Sequence, residues 1–143
     1  MQKGILSIFF GLCAFLSFGQ SKVMWNYLYN PASEEVQITA EIAEGWHLYS
    51  QHIDNELGPI PTSFEFQENP AVQLIGETVE PESIKEYDPN FEGDLNFFKD
   101  EVTFVQKVKL QRPTTILGTV TFMVCNDVMC LPPVDELFKI EIQ

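Results

Sequence analysis

The chain has 143 residues, 45% of them hydrophobic, and a formal net charge of −13 from 21 acids against 8 bases. That balance excludes the basic face a nucleic-acid binder needs to neutralise phosphates, and it argues against docking on anionic lipid. The length suits one domain with a single core, and the acidity serves either to keep such a domain soluble or to attract a basic partner.

At the N-terminus, Met1-Gln2-Lys3 supplies one positive charge, residues 4–18 form an almost uninterrupted apolar run, and Ser17-Phe18-Gly19 places small residues where a signal peptidase cutting before Gln20 reads them. Roughly 15 apolar residues fall short of the ~20 that a spanning helix needs, so residues 1–19 are expected to be an export signal. Cys13 follows the bulky Leu12 and is expected to leave with the signal rather than be lipidated. The mature chain, residues 20–143, has 143 − 19 = 124 residues and a charge of −14, because Lys3 leaves and residues 1–19 contain no acid. It keeps two cysteines, Cys125 and Cys130, an even count suited to an oxidising compartment.

Beyond the signal, alternation with period two replaces any helical pattern. Strands are expected at residues 23–29, 36–42, 46–50, 62–67, 71–76, 102–110, 119–125 and 137–142. In the stretch around residue 106, Val102, Phe104, Val108 and Leu110 share one register with Gln106 as its single polar member. Turn signals separate the strands at Asn30-Pro31, Glu44-Gly45, Gly58-Pro59, Asn69-Pro70, Arg112-Pro113 and Leu117-Gly118. Short strands at this interval predict an all-β antiparallel sandwich. Residues 80–100 do not fit the pattern: rich in Pro, Gly and acids yet carrying Tyr87, Phe91, Phe97 and Phe98, they read as a long loop that either folds back onto a site or plugs one end of the sandwich.

The chemistry lies near the C-terminus, in Cys125-Asn126-Asp127-Val128-Met129-Cys130. In the strand leading to it, Val120, Phe122 and Val124 point one way and Thr121, Met123 and Cys125 the other. Cys125 and Cys130 can meet across the mouth of a hairpin, as a staple or as a redox pair. So short a ring removes little entropy from the unfolded chain, which favours the redox role, while the spacing by itself favours a structural hairpin disulfide. Zinc wants four ligands, and the mature chain offers two Cys with His47 and His52 far away in sequence; no metal and no cofactor are expected. A Cys/His nucleophilic site lacks an oxyanion hole and a third orienting group at recognisable spacing. A thioredoxin fold is disfavoured because no helix follows the first cysteine and the spacing is not Cys-x-x-Cys.

Together, Gly45-Trp46-His47-Leu48-Tyr49-Ser50, Phe91-Glu92-Gly93 and Cys125…Cys130-Leu131-Pro132-Pro133 resemble the N-terminal periplasmic domain of the transmembrane thiol–disulfide reductase DsbD, over nearly the whole mature chain. The resemblance implies an immunoglobulin-like sandwich, a periplasmic location, and a cysteine pair that cycles between dithiol and disulfide. It implies electrons arriving from a thioredoxin-like domain fed by a membrane-embedded segment, and leaving for exported oxidoreductases that correct disulfides or prepare cytochrome c. It also implies that the 80–100 segment carries a cap, with Phe91 as the shielding ring, and it favours Cys130 as the cysteine that engages partners. Tyr49 matches a family Tyr beside the cysteines, whereas His47 stands where the family often has another Tyr.

Two departures stand out. The cysteine spacing is one residue shorter than in the family's best-studied members, and the acids that precede the cap Phe there are Pro89 and Asn90 here, so acid-assisted proton transfer by that pair does not carry over. His47 is either a proton relay and thiolate partner or a surface histidine on a strand; Val128 and Met129 are expected to shape the docking surface. With no membrane segment after the signal, the chain is expected to be a monomeric module working with a separate membrane conductor. The competing expectation is an exported sandwich that binds another protein and is stapled by its disulfide.

Overall fold

The computed structural model describes residues 21–53, 56 and 58–143; the expected export signal, residues 1–19, lies outside the described residues. Eleven strands follow in chain order among them: β1 (Val23–Asn30), β2 (Glu35–Ile42), β3 (His47–Tyr49), β4 (Ser63–Phe66), β5 (Val72–Val79), β6 (Ile84–Asp88), β7 (Gly93–Phe98), β8 (Glu101–Leu110), β9 (Thr114–Phe122), β10 (Val124–Cys125) and β11 (Val134–Ile142). They form three antiparallel sheets with strand orders β1-β2-β8-β5, β10-β3-β7-β6 and β11-β9-β4.

The alternating registers decide what each sheet buries. Val36, Ile38, Ala40 and Ile42 of β2 and Val102, Phe104 and Val108 of β8 turn inward from the first sheet, and they meet Leu48 and Phe98 from the second and Ile116, Val120, Phe122, Phe138 and Ile140 from the third. Burying one face of each sheet against the others makes the sandwich, because side chains two apart in a strand share a face. Aromatic rings fill its centre edge to face: Trp25 lies with its ring centroid 6.0 Å from that of Phe64 and 5.3 Å from that of Phe122.

Gln106, the polar residue in the inward register of β8, is 2% exposed and satisfied. Its Nε2 donates to the backbone carbonyls of Ile75, Gly76 and Lys107, and its Oε1 accepts from the Thr78 hydroxyl. The facing strand β5 is irregular between Ile75 and Val79, and Gly76 there takes a left-handed conformation with φ 68°. The irregular stretch of β5 is exposed, and its carbonyls turn toward β8, where they satisfy the amide of the buried Gln106, whose burial without partners would be costly.

Three expectations need correction. Residues 80–100 are not one long loop: β6 and β7 form a hairpin there, turning through Pro89–Glu92. Most of β6 is exposed at the sheet edge, which gives it a loop-like composition, and only in β7 does alternation surface, as Leu95 and Phe97 on one face. Leu117-Gly118 is not a turn but lies inside β9, which begins at Thr114. The strand expected at 119–125 is interrupted at Met123, where the chain leaves the third sheet as β9 and enters the second as β10.

Gly118 is in β9 because of space. A Cβ there would overlap the Phe138 ring and stand 2.6 Å from the Glu65 carbonyl oxygen; the ring can shift, but the backbone of the paired strand β4 cannot do so without breaking its ladder. Gly118→Ala is therefore expected to cost about 2 kcal/mol of folding stability, read as a lowered denaturation midpoint with an unchanged slope in urea.

Candidate functional site

The crossing at Met123 sets up the site. Phe122 and Val124 keep to the main core, while Met123 and Cys125 face the other way into a second, smaller cluster with Tyr49, Leu95 and Phe97. β10 pairs with β3 so that Cys125 stands opposite His47, and β3 pairs with β7 so that Tyr49 stands opposite Phe97. Residues opposite one another in antiparallel strands share a face, so the cysteine, the histidine and the tyrosine gather on one side of the second sheet.

Cys125 and Cys130 are joined as a disulfide, with their Cα atoms 4.0 Å apart, across a single antiparallel bridge. The four residues between them make a tight turn. The Asn126 N–H donates to the Met129 carbonyl at 2.9 Å, and the Asn126 side-chain oxygen accepts from the N–H groups of Val128 and Met129. This is the turn-forming use of an Asn side chain. It leaves the tip to solvent, with Val128 86% and Met129 49% exposed. Cys125 is fully buried, whereas Cys130 is only partly so.

Beneath the pair lies a buried polar network. The Tyr49 hydroxyl donates to Asp88 Oδ2 at 2.5 Å, and His47 Nε2 lies 3.1 Å from the same oxygen and 3.2 Å from the Tyr49 hydroxyl. The other carboxylate oxygen accepts from the backbone N–H of Asn90 at 2.8 Å and from its side-chain amide at 3.1 Å. All three network residues are buried, Asp88 at 1% exposure. Burial alone would push the Asp88 carboxyl up; the bonds from Tyr49, Asn90 and His47 outweigh it and hold the group below the ordinary carboxylate range. Burial first, then the bond to Asp88 and its charge, push the Tyr49 phenol far above its ordinary value. The His47 ring also lies against Phe97, with centroids 4.5 Å apart.

Phe91 sits in the turn between β6 and β7. Its ring packs on the cluster that holds Cys125 and Cys130, edge-on to Tyr49 with centroids 6.0 Å apart. On another side it meets Gly58, where a Cβ would touch the ring at 3.6 Å; Gly58 has φ 105°, a conformation open to glycine and strained for other residues. The structure thus gathers Cys125, Cys130, His47, Tyr49 and Phe91 at one end of the sandwich, while His52 is exposed. No group of three or more His, Cys, Asp or Glu among the described residues is placed to hold a metal ion.

A model of the family described as "Thiol:disulfide interchange protein DsbD, N-terminal" matches residues 18–142. The chain belongs to this family. Among solved structures it is similar to the DsbD N-terminal domain of Neisseria meningitidis in the reduced form, with 16% identity, a TM-score of 0.63, and coverage of 84% of this chain and 85% of that one. It is also similar to a structure of the complex between the DsbD and PilB N-terminal domains of the same organism, with 14% identity, a TM-score of 0.60, and coverage of 82% and 80%. A third neighbour is the N-terminal periplasmic domain of ScsB from Proteus mirabilis, at 12% identity and a TM-score of 0.54; it matches 80% of this chain but spans about half, 49%, of that one. No curated protein sequence matches the chain. At these identities the neighbours establish the fold: the chain is an all-β, immunoglobulin-like domain of the DsbD N-terminal kind.

In this DsbD-type domain the residue that sequence reasoning missed is Asp88. It stands immediately before Pro89 and Asn90 in the turn that carries Phe91. The usable signal was Asp88-Pro89-Asn90, a turn signature in which an Asp accepts from the backbone two residues on; nothing in the sequence shows that its second oxygen faces Tyr49 and His47 across 39 and 41 residues.

The depressed Asp88 pKa fixes a pH dependence. A carboxyl that titrates lower in the folded than in the unfolded state stabilises the fold above its unfolded value, near 4, and loses that contribution as pH falls through the folded one. Asp88→Asn is expected to lower stability at pH 7 by about 2 kcal/mol. In urea titrations of the disulfide-bonded protein, the gap between wild type and variant should narrow as pH drops below about 4; a gap constant from pH 7 to pH 2.5 would count against the network.

Proposed function

We propose that the chain is an exported thiol–disulfide exchange domain that passes reducing equivalents through Cys125 and Cys130, between a membrane-linked thioredoxin-like donor and exported oxidoreductases. The observation that carries this reading is the placement of the disulfide: it closes a six-residue hairpin at one end of the domain, one sulfur carrier buried and the other partly open, under a ring supplied by another hairpin. Family membership supports it, as does the complex that the Neisseria DsbD N-terminal domain forms with the PilB N-terminal domain.

In this mechanism the donor's thiolate attacks Sγ of Cys130, the better exposed of the pair. The Cys125–Cys130 bond breaks and Cys125 leaves as thiolate. The donor's second thiolate then attacks the mixed disulfide, releasing the domain as the dithiol and the donor as its disulfide. Delivery repeats the exchange with the acceptor: Cys130 attacks its disulfide, Cys125 resolves the mixed species, and two electrons have moved.

His47, opposite Cys125 in the strand register, is suited to stabilise the departing Cys125 thiolate or return a proton to it when protonated, with Asp88 as its counter-charge. Phe91 and Tyr49 shield the pair. Val128 and Met129 present an apolar tip on which a partner can dock. The periplasm is the compartment this reading requires, and a membrane protein separate from this domain supplies the electrons; cytochrome c maturation is one use of the output.

Equilibration of the mature protein in dithiothreitol and glutathione buffers, with acid trapping and a mass readout of free Cys125 and Cys130, tests this directly. The relay requires reduction of the native protein at a potential above about −300 mV. Cys125→Ser is expected to accumulate mixed disulfides through Cys130, and the double Cys→Ser variant to lose all transfer yet keep its fold at a loss of roughly 2 kcal/mol, the loop entropy of so short a ring. A bond that stays closed far below that potential and opens only on unfolding would make the disulfide a staple and the chain a binding module.

A further inference from the structure

Asn90 makes two contacts that electron transfer alone does not require. Its side-chain amide donates to Asp88 Oδ1 at 3.1 Å and to the Asn126 carbonyl oxygen at 2.8 Å. Both partners are acceptors, so the amide nitrogen, which carries two protons, is the atom turned toward them. Asn126 directly follows Cys125 and belongs to the ring that the disulfide closes, where its own N–H and side chain hold the turn. On the other side of the contact, Phe91 directly follows Asn90, and its N–H is bonded to the Asp88 carbonyl at 3.3 Å. A single side chain therefore joins the buried carboxylate, the shielding ring and the backbone of the cysteine hairpin.

We propose that Asn90 is a specificity-determining latch: its bond to the Asn126 carbonyl holds the Phe91 cap over the Cys125–Cys130 pair, and a protein partner opens the cap by replacing that bond. The inference rests on reading the pair as an exchange site. Leaving a carbonyl beside the reacting sulfurs without its donor is unfavourable. A protein that brings its own backbone N–H to the Asn126 carbonyl as it docks compensates for the loss of the Asn90 donor. A small thiol such as glutathione has no donor held in that position and must break the bond without replacement. Asn90 thereby separates protein thiols from small ones, while the anchored Asp88 returns the cap to the same place after each encounter.

The test compares the rate at which glutathione reduces the oxidised domain for wild type, Asn90→Ala, Phe91→Ala and the double variant. Two glutathione thiols become one glutathione disulfide as the Cys125–Cys130 bond becomes two thiols. Asn90→Ala is expected to speed reduction about tenfold, the size associated with one lost hydrogen bond, and to add nothing in the Phe91→Ala background, because the latch acts only through the cap. Asn90→Asp, which keeps the side chain's size but puts an acceptor against the Asn126 carbonyl, should accelerate reduction at least as much. A rate for Asn90→Ala within twofold of wild type overturns the proposal, as does acceleration by Ala but not by Asp, which would trace the effect to lost volume.

Amide hydrogen exchange at Phe91 in the oxidised protein reads the latch without any thiol chemistry. Protection there should fall about tenfold in Asn90→Ala, and unchanged protection overturns the latch. If the disulfide proves irreducible in the native protein, the exchange function fails while this measurement still decides whether Asn90 holds the cap.

Discussion

The site end of the domain depends on one buried carboxylate. Asp88 sits where an ion is costly, and it is tolerated because its two oxygens accept bonds from three residues: Tyr49 and His47 on one, the backbone and amide of Asn90 on the other. Those partners come from different places, β3 and the β6–β7 turn. Satisfying the charge therefore fixes the cap relative to the strand that pairs with Cys125. Without the carboxylate, the Tyr49 hydroxyl and the His47 ring would be buried with one acceptor fewer, and the turn carrying Phe91 would lose its anchor to the sheet.

The fold was largely legible in the sequence because sandwich strands declare themselves by period two, and β2 and β8 show it most cleanly. Cys125 was assignable to the face opposite Val120, Phe122 and Val124 by counting alone, and its side chain does lie in the smaller cluster rather than the main core. What escaped was structure whose signal is not periodic. β6 is an edge strand with most residues exposed, so it carries no apolar stripe, and its hairpin with β7 has the composition of a loop. Gly118 looked like a turn residue, although it marks the close approach of the Phe138 ring and the β4 backbone.

The candidate site divides along the same line. The cysteines and Phe91 belong to motifs read along the chain. Whether His47 was a surface residue or part of the site depended on strand register, and the register puts it, buried, opposite Cys125. Asp88 and the Asn90–Asn126 contact depend on pairings across 36 to 41 residues, which no local pattern encodes. Gln106 shows the opposite case: a polar residue in an apolar register is visible from the sequence, but the partners that make its burial tolerable, the carbonyls of the irregular β5, are not.

The break at Met123 divides the apolar interior in two. Phe122 and Val124 belong to the large cluster shared by all three sheets, whereas Met123 and Cys125 belong to a small one with Tyr49, Leu95 and Phe97, covered by Phe91. Cooperative units in proteins follow such contact boundaries, and a unit with few apolar contacts opens at a lower free energy than the whole molecule unfolds. The domain is thus built as a large sandwich core bearing a small, separately packed cysteine end, so that local opening at that end leaves the contacts of the larger core in place.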